Sequence, residues 1–169
     1  MLGRHTARRS LLTFVVLAAL TALFASDDDA PEAAPRFRAK TTSGEVFNNA
    51  TIKGKVVLLE FWTTWCPYCK DEQQLVDNIG KEFADKGLIL LAVDVLEPKK
   101  TVKKYLEEHP RSCRIVLTED TNLAAMYQAN SYPIYVVIDR DGNIAGTQRG
   151  SAGERGLRYL LRRAGLESE

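Results

Sequence analysis

The chain has 169 residues, 45% of them hydrophobic and 27% charged, which suits one soluble globular domain with enough length to bury a core. Its net charge is +1, with basic and acidic residues interspersed, and this excludes a nucleic-acid binder built on a basic stripe. The first segment is not fold material. Arg4, Arg8 and Arg9 precede an apolar run from Leu11 to Ala25, the pattern of a signal peptide or signal-anchor over residues 1–26. The run is shorter than the roughly 20 residues of a comfortable membrane span, which favours cleavage. Leu23-Phe24-Ala25 is nevertheless a poor cleavage site, so the cleaved and anchored forms both stand. Arg8-Arg9 fits a twin-arginine signal loosely, and two ordinary n-region arginines are the simpler reading. Either way the remainder is expected to be extracytoplasmic, in the periplasm or on the outer face of the cytoplasmic membrane. Membrane contact is expected only through residues 11–25, if they are retained.

Residues 27–35 are an acidic Pro/Ala linker, expected to bury nothing, and the folded domain is expected over residues 36–169. Arg36 to Lys40, the turn Thr42-Ser43-Gly44, and Glu45 to Phe47 predict a small hairpin. Val56 to Trp62 is apolar except for Glu60 and predicts a central strand buried on both faces. A helix follows the cysteines to about Lys86, with Leu75, Val76, Ile79 and Phe83 at helical spacing and Gly87 as its stop. Leu88 to Val93 predicts a second buried strand, Lys99 to His109 a helix, Arg114 to Leu117 a short strand, and Asn122 to Gln128 a short helix. Ile134 to Ile138 predicts a third strong strand, Asp139 to Asn143 a hairpin turn, Ile144 to Gln148 its return, and Glu154 to Ala164 a closing amphipathic helix. This alternation describes an α/β domain with a mixed sheet.

The chemistry is carried by Cys66 and Cys69, set between the strand and the helix. A helix start offers unpaired N–H groups and a positive dipole end, and both favour a thiolate. A zinc site would need two further ligands, and Cys113, His5 and His109 form no second pair, so no metal is expected. A purely structural disulfide would not require the strand before it and the helix after it. Cys66 is therefore expected to be an exposed nucleophile, with Cys69 one turn on, more buried, and the resolving thiol. Pro67 suits the first helical turn, where its missing N–H costs little. Tyr68 and Trp65 are expected on the rim, and Trp62 in the core. Glu60 is expected to be buried, raised in pKa by desolvation, and a proton acceptor for Cys69. The alternative is an edge strand with Glu60 in water. Tyr132-Pro133 before a buried strand suggests a tight turn with a cis bond. Cys113 is expected to be a buried unpaired thiol and His109 a surface residue.

The stretch Phe61-Trp62-Thr63-Thr64-Trp65-Cys66-Pro67-Tyr68-Cys69-Lys70 resembles the active-site motif of the thioredoxin superfamily, and the signal-bearing form is similar to its TlpA/ResA-like branch. Residues 52–58, the helix and strand between Asp94 and Leu117, and Tyr132-Pro133 with the segment after it match that branch. The resemblance implies a thioredoxin-like three-layer sandwich with an N-terminal hairpin and a central helix-strand insertion. It implies that Cys66 is the nucleophile, Cys69 the resolving thiol, Glu60 the buried acid, and Pro133 the cis-proline of a substrate groove also formed by Trp65, Pro67, Tyr68 and Tyr132. No cofactor is implied beyond the redox-active disulfide. The implied activity is thiol–disulfide exchange, in the reducing direction, on disulfide-containing exported proteins such as apocytochrome c. A membrane thiol carrier would supply electrons to a monomeric protein. A peroxiredoxin-like thiol peroxidase and a Cu(I)-delivering binder are the alternatives. The first lacks the proline expected before its cysteine, and the second lacks ligands beyond two thiolates. Tyr132 is larger than the branch's usual residue there, which would narrow the groove.

Overall fold

The computed structural model of the protein describes residues 31–167. In chain order these form β1 (Arg38–Thr41), β2 (Val46–Asn48), β3 (Val56–Trp62), α1 (Pro67–Glu82), β4 (Leu88–Asp94), α2 (Lys99–Glu108), β5 (Arg114–Thr121), α3 (Leu123–Met126), β6 (Ile134–Ile138), β7 (Ile144–Arg149) and α4 (Gly153–Arg163). One sheet holds all seven described strands in the order β2-β1-β5-β4-β3-β6-β7. The expected signal segment and the first part of the linker lie outside the described residues.

β3 sits inside this sheet. It runs parallel to β4 from Val56↔Leu88 to Trp62↔Asp94, and antiparallel to β6 from Val57↔Ile138 to Phe61↔Ile134. A partner on each side and a layer on each face leave all of its residues buried. Successive side chains on a strand point to opposite faces. Val57, Leu59 and Phe61 join one cluster with Leu91, Val93, Val116, Leu123, Ile134 and Val136. Val56 and Leu58 join a second cluster, built with Val76 and Ile79 of α1 and Leu157 and Leu161 of α4. Trp62 extends that second face into a third cluster with Ala92, Val102 of α2, Ile115, Leu117, Cys66 and Cys69. Glu60 shares this face, so it lies under the helices and not toward water.

Several boundaries differ from the sequence reading. α1 ends at Glu82, not Lys86, because Phe83 leaves helical geometry (φ −100°, ψ 4°) while staying buried. Gly87, at φ +91°, completes the turn into β4. β5 continues to Thr121 because β1 pairs with it, through Ala39↔Thr121 and Thr41↔Val116. The short helix is only Leu123–Met126. The segment expected to bury nothing is tied to the domain at its end. The Ile144 N–H donates to the Glu32 carbonyl at 2.7 Å and the Ala34 N–H to the Gly142 carbonyl at 2.9 Å. Ala33 bridges Asn143, and Ala34 is buried. Backbone groups there find partners along the β6–β7 turn, which composition cannot reveal. Among the described residues no helix is long and apolar enough to cross a membrane.

Candidate active site

The end of β3 and the start of α1 place the two cysteines. Cys66 is the N-cap of α1, extended at φ −75° and ψ 113°, and its Sγ accepts the Cys69 N–H at 3.1 Å. This sulfur occupies the place of an ordinary capping oxygen, so it faces an orphan donor of the first turn. Pro67 opens the helix. Cys66 and Cys69 are joined in a disulfide, with their Cα atoms 5.3 Å apart.

The exposure expected for Cys66 is corrected. Cys66 is 2% exposed and Cys69 3%, so in the disulfide state neither is more open than the other. Both pack into the cluster of Trp62, Ala92, Val102, Ile115 and Leu117. The surface at this point is made by their neighbours: Trp65 is 65% exposed and Tyr68 61%. Pro67 is exposed as well. The half-buried Tyr132 meets the Trp65 ring edge-on, with centroids 5.7 Å apart. The Tyr132–Pro133 bond is cis, and Pro133 is buried. Trp65, Pro67 and Tyr68 flank the cysteines in the chain, and Tyr132 packs against the cluster that holds the disulfide.

Glu60 is fully buried, and burial pushes its carboxyl above the ordinary range against the pull of Arg111. Arg111 Nη2 lies 2.9 Å from Glu60 Oε2, with the two side chains 1% and 0% exposed. The guanidinium also lies over the Trp62 ring, 5.6 Å from its centroid.

Residues 30–147 match a family profile described as the AhpC/TSA family. The thioredoxin-like protein YneN of Bacillus subtilis is 32% identical over 131 residues, 76% of each chain. The thiol-disulfide oxidoreductase ResA of the same organism is 30% identical over 135 residues, 79% of this chain and 75% of the relative. Among solved structures, a thioredoxin-family thiol:disulfide interchange protein from Chlorobium tepidum superposes with a TM-score of 0.70 at 26% identity, covering 81% of this chain and 98% of that one.

The chain belongs to the AhpC/TSA family. It is a thiol–disulfide oxidoreductase with a thioredoxin-like fold.

Sequence reading missed several residues of this oxidoreductase. Arg111 comes from the α2–β5 connection, where no periodicity marks it, and Asp77 resembles a solvated helix position. The structure joins them: Arg111 donates Nε–H and Nη2–H to Asp77 Oδ1 at 3.0 and 2.7 Å, and the Ser112 N–H donates to Asp77 Oδ2 at 2.8 Å. Cys113 packs partly against the cluster that holds the disulfide, and burial raises its pKa, which suits an inert thiol. Glu72, one turn beyond Cys69, is buried and accepts the Tyr135 hydroxyl at 2.8 Å and the N–H groups of Ala152 and Gly153 at 3.2 and 2.6 Å. Glu97 holds the loop that precedes the cysteines. Its carboxylate accepts the Thr64 N–H and the Thr64 hydroxyl, each at 2.6 Å. Neighbouring Asp94 is fully buried, and burial together with a shared hydrogen bond to Glu97 pushes its pKa up to about 7. Among the described residues no cluster of three or more His, Cys, Asp or Glu side chains is arranged to hold a metal ion.

Proposed function

We propose that the protein is an extracytoplasmic disulfide reductase acting on exported proteins. Its reduced form attacks a substrate disulfide through the Cys66 thiolate. A mixed disulfide forms and one substrate thiolate leaves. Glu60 then takes the Cys69 proton, and the Cys69 thiolate attacks Cys66 Sγ. This breaks the intermolecular bond and releases the second substrate thiolate. The protein is left as the Cys66–Cys69 disulfide, and two electrons from a thiol carrier at the membrane restore it. Glu60 keeps the proton in the disulfide state and returns it to Cys69 on reduction. Trp65, Pro67, Tyr68, Tyr132 and Pro133 form the contact surface for the substrate chain. No further cofactor is needed, and the protein acts as a monomer.

The observation that carries this reading is the disulfide at the N-terminus of a 16-residue helix with a buried carboxyl on the strand that feeds it. The basic residues followed by an apolar run at the N-terminus support export, and apocytochrome c is one exported substrate of suitable chemistry. The deciding experiment is trapping in cells with Cys69→Ser. Mixed disulfides through Cys66 to exported proteins are the expected result. None, with Cys66 still reactive to alkylation, would reject a protein substrate. Direction is read from the reduction potential. Known Cys-x-x-Cys proteins span roughly −270 to −120 mV, and a value at the oxidising end would reject the reductase reading.

A further inference from the structure

Six titratable or charged groups bear on Glu60 from every side: Glu72 and Asp77 of α1, Tyr135 of β6, Tyr105 of α2, and Arg111 and Cys113 of the α2–β5 connection. Only Arg111 carries a positive charge. Its aligned N–H groups go to Asp77, two of them to Oδ1, while Ser112 closes the other oxygen. Nη2 stands close to Glu60, at 2.9 Å, yet neither Glu60 oxygen has an aligned hydrogen-bond donor. One buried cation therefore faces two buried carboxyl groups and is committed to one of them. A buried carboxylate that shares its cation with a second carboxylate and receives no aligned donor is disfavoured, so Glu60 is the carboxyl that holds a proton.

We propose that Asp77 is a positioning residue for the thiol chemistry. By capturing Arg111 it denies Glu60 a full ion pair and keeps Glu60 able to take and return a proton. This rests on the reading of Glu60 as the proton acceptor of Cys69. Were Asp77 absent, Arg111 could turn both N–H groups to Glu60 and hold it as a permanent carboxylate, a weak base. Were Arg111 absent, Glu60 would face Asp77 and Glu72 with no cation and would hold its proton to higher pH. The two substitutions act on the same group with opposite sign. General loss of packing would not produce that pattern.

The test is the resolving step in a single turnover. Fully reduced protein reacts with an aromatic disulfide that leaves a coloured thiolate. The first release reports Cys66 attack, and the second reports Cys69 displacing the mixed disulfide. The second rate is followed from pH 4 to 10 in the wild type, Asp77→Asn, Arg111→Gln and Glu60→Gln, with circular dichroism to select folded variants. The inflection belongs to the coupled Glu60–Cys69 pair. An opposite charge within hydrogen-bonding range lowers a carboxyl pKa by about 1–3 units. Asp77→Asn, nearly isosteric, is expected to move the inflection down by about one unit, and Arg111→Gln to move it up by a similar amount. If Glu60→Gln removes the inflection while Asp77→Asn leaves it in place, the inference is overturned and the role of Glu60 survives. If Glu60→Gln keeps the wild-type profile, both are overturned. Should Arg111→Gln fail to fold, the downward shift in Asp77→Asn decides alone.

Discussion

Replacing Glu72 by Ala tests how α4 is held to the domain. Ala152, the N-cap of α4, makes no side-chain cap bond of its own, and the carboxylate of Glu72 reaches over from α1 to the first N–H groups of α4. The same carboxylate takes the hydroxyl of Tyr135, a residue with no exposed surface. Truncation leaves that hydroxyl buried without a partner, at about 1–3 kcal/mol. Two helix N–H groups lose an anionic acceptor. Water reaches the half-buried Ala152 and Gly153, which limits this part to about 1–2 kcal/mol. The expected total is about 2–5 kcal/mol, a large share of the roughly 5–15 kcal/mol that holds a typical domain together. With a urea slope of about 2 kcal/mol/M, the midpoint of the oxidised protein falls by about 1–2.5 M. Tyr135→Phe, which removes the stranded hydroxyl, should recover about 1–2 kcal/mol in the double variant. A loss below about 1 kcal/mol in Glu72→Ala, or no coupling to Tyr135→Phe, would refute this account of the α1–α4 contact.

Asp94 gives a pH signature. Its folded pKa, about 7, lies above the usual aspartate value, so the stability tied to its proton is complete below about pH 4 and is lost as pH rises through 7. Asp94→Asn should flatten that decline and gain on the order of 2–4 kcal/mol relative to wild type between pH 5 and 8, read by urea unfolding at each pH; an unchanged pH slope would show Asp94 ionised in the fold. Phe61→Ala, fully buried near the end of β3, should cost about 3–5 kcal/mol by the same measurement, and a cost under 1 kcal/mol would place the core elsewhere. Arg158 is bonded to both Glu82 and Glu154 yet lies at the surface, so Arg158→Ala should cost at most about 1 kcal/mol and less in high salt. A loss of 3 kcal/mol there would contradict the treatment of exposed ion pairs. Peroxide consumption should be slow and should not survive in Cys69→Ser; rapid turnover in that variant would restore the peroxidase alternative.

Much of the fold was legible because its signals are local. The apolar β-branched runs of β3, β4 and β6, the helical spacing of Val76, Ile79 and Phe83, and the Asp-Gly turn before β7 each depend on near neighbours in the chain. The Cys-x-x-Cys pair was legible for the same reason: strand, cysteine and helix are contiguous, and a helix start acts on a sulfur wherever it occurs. Glu60 was legible as an anomaly, a lone carboxyl in an apolar strand. The pattern left an edge strand with Glu60 in water as the alternative; pairing of β3 with β4 and β6 decided for burial, because a strand with neighbours on both sides and layers on both faces leaves no solvent for its side chains.

What only the tertiary structure decided is which groups share the buried space. Glu60 meets Arg111 across 51 positions of chain, and Arg111 meets Asp77 across 34. Glu72 meets the start of α4 more than 80 residues away. Nothing in the local pattern of a helix distinguishes Asp77 or Glu72 from solvated positions; burial of a charge is chosen by the partner that arrives from elsewhere. The burial of Cys66 has a related cause. A helix start is open on its own, and it closed here because Trp62, Val102, Ile115 and Leu117 converge on it from one helix and two strands. Chain-local chemistry determined that there is a reactive disulfide. Long-range packing determined how deeply it lies and which charged groups surround the buried Glu60, because charge and desolvation act through space and not along the chain.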